Sequence, residues 1–159
     1  KDKATIDGFV EAMPGGFEKL NATITEAIRK AAAVVAAQFS ASRIDLGAKG
    51  LTAHDAAVVA EILKSNTSVT KVNLYSNEEI GDEGAKALAE SLKANATVEE
   101  LELSICGIGD DGAAALAEAL RSNTSLTTLC LDFNFGIGEQ GKQLLRDAVA
   151  GREGFNMSL

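Results

Sequence analysis

The strongest constraint in this sequence is a short phrase that recurs three times at a nearly constant interval. It reads "SNTSV" at 65–69, "ANATV" at 94–98 and "SNTSL" at 122–126. The central asparagines Asn66, Asn95 and Asn123 are 29 and 28 residues apart. A period of this size is the mark of a repeat protein, in which one structural unit stacks on the next. The fold therefore follows from the physics of a single unit.

Each phrase leads into a segment in which apolar and polar residues alternate. The segments are "VTKVNLYSN" (69–77), "VEELELSIC" (98–106) and "LTTLCLDFN" (126–134). Alternation with period two predicts a half-buried strand, and all three fit L-x-x-L-x-L-x-x-N/C. An earlier copy, "ASRIDLGAK" (41–49), keeps Ile44 and Leu46 but has Lys49 at the last position. Leucines four apart, such as Leu88 and Leu92, predict a helix after each strand.

One strand and one helix cannot bury their apolar faces alone, so neighbouring units must stack. Parallel strands joined by helices need right-handed crossovers, which places a curved sheet on the concave side and the helices on the convex side. The sequence thus predicts an α/β right-handed solenoid. Asn77, Cys106 and Asn134 close the strand segments, and we expect their side chains to turn inward and bond loop backbone groups.

The three recurring asparagines also match the Asn-x-Ser/Thr acceptor of N-glycosylation. Each lies three residues after the last apolar position of its helix, where chains often adopt a left-handed conformation that asparagine tolerates. Recurrence at the repeat period favours this structural explanation. Asn21 and Asn156 head similar triplets off the period. We predict that the recurring asparagines end their helices, have positive φ and carry no sugar.

A second motif invites a functional interpretation. "GIGDDG" (107–112) and "GIGEQG" (136–141) match G-x-G-x-x-G, the dinucleotide-binding fingerprint, and Asp132 follows Gly112 by 20 residues. The motif recurs in register with the repeat, however, and its strands are too short for a nucleotide-binding sheet. Asp110 and Asp111 would face a pyrophosphate, whereas as acids of a first helical turn they complement the helix dipole. We expect no nucleotide and no other cofactor.

The two ends of the chain depart from the repeat. After "MPGG" (13–16), apolar residues recur every three or four positions from Phe17 to Phe39, which predicts a long amphipathic helix. We assign residues 1–40 to an N-terminal helical cap over the first repeat, and 41–159 to a solenoid of about four units. A membrane-surface helix is the alternative for the cap. In the last unit Arg146 stands at an alanine position and Gly151 should end the helix, so this unit should be terminal or truncated.

Composition excludes several function classes. The formal net charge of −8 would repel phosphate backbones, so we expect no nucleic-acid partner. No apolar run is long enough to span a membrane, and the N-terminus lacks the pattern of a signal peptide. Two cysteines, Cys106 and Cys130, are too few for a disulfide framework and favour the cytoplasm. With His54 as the only histidine, neither a zinc site nor an acid–base pair is predicted, and we expect no enzyme.

Residues 41–151 resemble the leucine-rich repeats of the ribonuclease-inhibitor-like class. The wording of "LKSNTSV", "GDEGAKALAESL" and "IGDDGAAALAEAL" is similar to repeats of tropomodulin, Ran GTPase-activating protein and the NOD-like receptors. Resemblance to this class implies binding of another protein along the concave sheet and its adjoining loops. It also leaves open a regulator of a small GTPase, an actin-capping-like cytoskeletal protein, or a structural segment of a longer solenoid.

On strands of this pattern, the residues beside the inward leucines should point to the concave side in three columns. The columns are Arg43, Lys71, Glu100, Thr128; Asp45, Asn73, Glu102, Cys130; and Gly47, Tyr75, Ser104, Asp132. Tyr75 is the only tyrosine, and an exposed tyrosine among charged residues is typical of a binding hot spot. The predicted partner-binding residues are Arg43, Lys71, Asn73, Tyr75, Glu100, Glu102 and Asp132.

Overall fold

Strands and helices alternate along the chain in a computed structural model, which describes residues 42–159. The strands are β1 (Arg43–Asp45), β2 (Lys71–Asn73), β3 (Glu100–Glu102), β4 (Thr128–Cys130) and β5 (Asn156–Ser158). The helices are α1 (Ala53–Ser65), α2 (Gly81–Ala94), α3 (Asp110–Ser122) and α4 (Glu139–Ala148). The predicted cap at 1–40 lies outside the described residues and stays a prediction.

The five strands form one parallel sheet in chain order, β1-β2-β3-β4-β5. Arg43 pairs with Lys71, Lys71 with Glu100 and Glu100 with Thr128, so each strand is in register with the next. Consecutive helices pack on each other as the strands do. The predicted α/β leucine-rich repeat solenoid is confirmed.

The middle residue of each strand points into the core. Ile44, Val72, Leu101 and Leu129 are each at most 2% exposed, while the residues on either side of them are exposed or half-buried. Alternation puts one face of a strand toward the helices and the other toward solvent. The period-two pattern of the sequence therefore marks the concave face directly.

The helices approach each other closely because small residues line their contacts. A Cβ atom added to Gly84 would lie 3.0 Å from the Cβ of Ala56 on α1 and 2.6 Å from Cγ2 of Ile80. Glycine is needed where backbones come this close. Leu88 and Leu92 are buried beside that contact, as their spacing predicts.

A row of inward side chains follows the strands, as expected; we call Asn77, Cys106 and Asn134 the loop row. Asn134 accepts hydrogen bonds at Oδ1 from the N–H groups of Cys106 and Ile108, both at 3.0 Å. Its Nδ2 donates to the backbone oxygens of Leu103 (2.8 Å) and Leu131 (2.9 Å). The side chain thus satisfies the backbone of its own repeat and of the preceding one.

A second row, Asn66, Asn95 and Asn123, ends the helices; we call it the helix-end row. The prediction that these residues end α1, α2 and α3 is confirmed, but the predicted positive φ is wrong: φ is −78°, −87° and −80°. With this extended backbone, each side chain accepts a hydrogen bond from the backbone N–H three residues later. Positive φ recurs at the repeat period elsewhere, directly before the loop row, at Ala48, Ser76, Ile105 and Phe133.

The helix-end row links consecutive repeats. Asn95 Nδ2 donates to the backbone oxygens of Leu63 (2.7 Å) and Asn66 (3.1 Å), both in the preceding repeat. Its Oδ1 accepts from the N–H groups of Thr97 (2.9 Å) and Val98 (2.8 Å). Four backbone groups around a nearly buried turn therefore depend on one amide side chain. These bonds explain why asparagine recurs at the repeat period.

The unit that ends in α4 was predicted to be terminal or truncated, and in the structure it is followed by a fifth strand, β5. Helix α4 ends at Ala148, with Val149 as its cap, before Gly151. Arg152 then does what asparagine does in earlier repeats: Nη1 donates to the backbone oxygens of Leu120 (3.3 Å) and Asn123 (3.0 Å), and Nη2 donates to that of Leu126. A guanidinium group therefore takes the place of the helix-end amide in this turn.

Candidate functional site

The first two predicted columns lie on the concave sheet in the predicted order. Arg43, Lys71, Glu100 and Thr128 are neighbours across the sheet, and so are Asp45, Asn73, Glu102 and Cys130. Strand β5 lengthens both columns by one residue, Asn156 and Ser158. This placement could be predicted because side chains alternate along each strand and the repeats share one register. Strand β5 was not predicted because it belongs to a fifth repeat that the sequence pattern does not reveal.

The third column lies just beyond the strand ends, where the loops begin. Tyr75 is 44% exposed, and its backbone oxygen accepts from Ala48 N–H at 2.7 Å. Asp132 accepts a hydrogen bond from the hydroxyl of Ser158. A backbone bond between loops thus holds Tyr75 at the border of the sheet, and a side-chain bond to β5 holds Asp132 there.

Ion pairs cross and follow the concave face. Lys71 Nζ lies 2.6 Å from Glu100 Oε1, and Arg43 Nη2 lies 3.2 Å from Asp45 Oδ2. All four side chains are between 44% and 58% exposed. Pairs this exposed contribute under about 1 kcal/mol to folding, so a partner could exchange them at little cost.

A shallow hollow of about 210 Å³ opens at the centre of the sheet. Its lining contains Arg43, Val72, Asn73, Glu100, Leu101, Glu102, Thr128 and Cys130. The hollow therefore brings together four of the seven predicted residues and leaves Lys71, Tyr75 and Asp132 around it. Partial burial and the nearby Glu102 carboxylate raise the pKa of the Cys130 thiol, which keeps that side chain neutral at pH 7.

Two exposed aromatic residues were missed by sequence reasoning. Phe133 is 64% and Phe135 is 91% exposed, and their ring centroids are 6.3 Å apart in an edge-to-face arrangement. The signal was available, because both flank Asn134 at positions filled by Ser76 and Glu78 in the second repeat. Tyr75 is therefore one of three large apolar side chains exposed in residues 42–159.

The glycine motif does not form an anion site, because a carboxylate of the protein already fills it. Asp82 Oδ1 accepts from the N–H groups of Gly109 (2.7 Å) and Gly112 (2.9 Å) at the start of α3. A Cβ atom on Gly112 would lie 2.7 Å from that oxygen. Asp110 bonds Gly138 and Gly141 at α4 in the same way, so it caps the next helix instead of its own.

The residues needed for catalysis or metal binding are scattered. His54 is exposed on α1, Cys106 is buried in the loop row and Cys130 lies on the sheet. Within residues 42–159 no three His, Cys, Asp or Glu side chains are grouped to hold a metal ion. Over the same range, no helix combines the length and the apolar character needed to cross a bilayer.

Comparison with known proteins agrees with this geometry. A family model described as a leucine-rich repeat matches residues 65–89 and 94–117. The fold is similar to the solved structure of leiomodin-1 actin-binding site 2, with a TM-score of 0.66 and 24% identity over 74% of this chain and 69% of that chain. Residues 65–89 and 94–117 therefore match leucine-rich repeats in sequence, and residues 42–159 have the fold of a leucine-rich repeat solenoid. Among curated proteins no sequence matches this repeat protein.

Proposed function

We propose that this repeat protein is a protein-interaction module that binds its partner through the concave sheet and the adjoining loops. The observation that carries the proposal is the hollow lined by Arg43, Asn73, Glu100 and Glu102, with Tyr75 at its border. Charged side chains of both signs beside an exposed aromatic ring suit recognition of a protein surface. Lys71 and Asp132 complete the proposed contact surface.

The strand register supports this choice of face. Side chains two residues apart on one strand and one strand apart on the sheet form a regular grid, so a partner can contact several repeats at once. On the convex face charges pair within single helices, as in Glu61–Lys64 and Glu90–Lys93, whereas the concave pair Lys71–Glu100 joins neighbouring strands. The free cysteines Cys106 and Cys130 support a cytoplasmic setting within the proposal.

A capture experiment tests the concave face. Immobilised parent protein is compared with Tyr75→Ala and Glu102→Lys, and bound proteins from a cell extract are identified by mass spectrometry. We expect each variant to lose at least tenfold of the captured partner with an unchanged melting temperature. Glu61→Lys makes the same charge change on the convex helix α1 and should retain the partner. If only Glu61→Lys loses the captured partner, the binding site lies on the convex side.

A cytoskeletal partner is the second candidate, because the structure of similar fold is named as an actin-binding site. Co-sedimentation with filamentous actin and pyrene-actin elongation assays measure this directly. Under the cytoskeletal proposal the parent protein co-sediments or slows elongation, and Glu102→Lys weakens the effect. No effect of the parent protein at tens of micromolar would exclude actin and leave the wider proposal to the capture experiment.

A further inference from the structure

The loop after β4 presents an aromatic surface that the fold itself does not require. Phe133 and Phe135 contact each other edge to face and leave most of their area in solvent. Phe133 has φ of +59°, a left-handed conformation that is costly for a bulky residue and suits glycine or asparagine. Ala48, Ser76 and Ile105 share the conformation in the other repeats, so the fold does not require an aromatic ring at this position.

Two hollows flank the aromatic pair. We call the pair and the two hollows together the aromatic edge. One hollow, of about 290 Å³, is lined by Glu78, Ile105, Gly107, Phe133, Phe135 and Gly136. The other, of about 300 Å³, is lined by Leu131, Asp132, Phe133, Asn134, Phe135, Ile137, Lys142 and Leu159. Both are open and shallow, so they suit side chains offered by a partner better than an enclosed small molecule.

The charge of these loops is mostly negative. Glu78, Glu79 and Asp132 lie in the loops that join strands to helices. The only lysine or arginine in these loops of residues 42–159 is Lys49, which lies in the loop after β1, three repeats from Phe133. Glu78 lines one hollow and Asp132 the other. Lys142 also lines the second hollow, and its Nζ lies 3.9 Å from Glu139 Oε1. Each hollow therefore has a carboxylate in its lining, and the one lysine of the second hollow is paired with Glu139.

We propose that the aromatic edge docks a basic amphipathic segment of a partner protein. Its apolar side chains would enter the two hollows, and its lysine or arginine side chains would meet Glu78 and Asp132. An arginine could also stack on an exposed phenylalanine ring. The inference rests on the proposed interaction function and adds the chemistry of the partner on the loop side of the sheet.

Three synthetic 14-residue helical peptides test the chemistry. They share the same leucine and alanine positions and differ only in carrying lysine, glutamine or glutamate on the polar face. Isothermal titration at low salt should show the lysine peptide binding at least tenfold more tightly than the glutamate peptide. In spectra of ¹⁵N-labelled protein, the largest shifts should fall on residues 133–137.

Matched variants separate the aromatic edge from other surfaces. Phe133→Asn with Phe135→Ser should weaken the lysine peptide at least tenfold without lowering the melting temperature, since asparagine tolerates positive φ. Glu78→Lys with Glu79→Lys should weaken it and reduce its salt dependence. Ala48→Asn places the same residue at the same backbone position of the first repeat and should leave binding unchanged. Glu102→Lys, on the concave hollow, should also bind normally.

Other occupants of the surface give different outcomes, each of which would overturn the proposal. Equal binding of all three peptides would show a non-specific apolar contact. Dimerisation that the double phenylalanine variant abolishes would show a second copy of the chain, and co-flotation with anionic vesicles that it abolishes would show a lipid surface. If the lysine peptide does not bind, the proposal for the aromatic edge is wrong. The proposal for the concave face is tested separately by the capture experiment.

Discussion

Single amide side chains hold together the turns that join the repeats. Asn123 Nδ2 donates to the backbone oxygens of Leu92 (2.8 Å) and Asn95 (2.9 Å), and its Oδ1 accepts from Leu126 N–H at 2.8 Å. Asn123 is 5% exposed. Water therefore cannot replace these bonds easily, and an unsatisfied buried polar group is costly.

The first prediction concerns that residue. Asn123→Ala should lower the free energy of unfolding by about 3 kcal/mol, because it leaves two carbonyl groups and one N–H group without their partner. Urea denaturation followed by circular dichroism measures the change. The control is Asn156→Ala, since Asn156 also heads a sequon but is exposed on β5; it should cost less than about 0.5 kcal/mol. Equal losses would refute the role of the helix-end row.

The second prediction concerns the one cysteine in the loop row. Burial raises the pKa of the Cys106 thiol from 9.0 to about 11, and its Sγ donates to Leu74 O at 3.2 Å. The folded state therefore favours the neutral thiol. Its contribution to stability is complete below pH 9 and is lost as pH rises toward 11, because the unfolded chain ionises first.

Between pH 8 and pH 10.5 the loss from Cys106 should reach about 2 kcal/mol. Cys106→Ser keeps a donor to Leu74 but does not titrate, so it should lack this part of the decline. Urea midpoints of both proteins at the two pH values give the difference, in which lysine and tyrosine effects cancel. Parallel pH profiles would mean that the thiol ionises without cost in the folded state.

At the scale of the elements, each of two helices begins on a carboxylate supplied by the helix before it. Asp82, on α2, caps α3 through Gly109 and Gly112. Asp82→Ala should lower the free energy of unfolding by about 1–2 kcal/mol, the usual loss for a helix cap, and Asp82→Asn should lose less because an acceptor oxygen remains. Glu83→Ala, on the exposed side of the same turn, should cost under about 0.5 kcal/mol. Thermal and urea unfolding of the three variants test this.

The elements also show what the sequence could predict. Burial of regularly spaced leucines does not depend on the conformation of the loops between them. The strand register, the helix faces and the two concave columns could therefore be predicted from the periodicity. The sign of φ at Asn66 did not follow, because an asparagine can end a helix by its backbone or by its side chain, and here the side chain bonds the next turn. Strand β5 was hidden because Met157 and Arg152 replace the usual leucine and asparagine. Phe133 was not predicted because it lies in the loop after β4, outside the period-two pattern that marks the concave face.

At the scale of the whole molecule, the turn before β5 uses a different residue from the earlier turns. Arg152 bonds the backbone oxygens of Leu120, Asn123 and Leu126, and its guanidinium lies 4.6 Å from the ring centroid of Phe155. The long arginine side chain makes the same kind of bonds to backbone oxygens that Asn123 makes one repeat earlier. Because repeats contact mainly their neighbours, damage at this end should stay local.

Arg152→Ala should therefore release β5 without unfolding the other repeats. Hydrogen exchange followed by mass spectrometry should show at least tenfold faster exchange in residues 154–159, with unchanged rates in β2 and β3. Arg146→Ala removes an exposed arginine of α4, 4.0 Å from Glu139, and should leave exchange at β5 unaltered. Uniform acceleration along the chain would instead mean that the solenoid opens as one cooperative unit.

The direction of the side-chain bonds bears on how such a chain can grow. Asn95 and Asn123 reach back by one repeat, and the capping aspartates Asp82 and Asp110 reach forward by one. A tandem duplication of one period would bring its own donors and acceptors and receive matching ones at both junctions. A duplication of any other length would strand polar groups in the interior. Lineages of this protein should therefore gain and lose material in whole repeats.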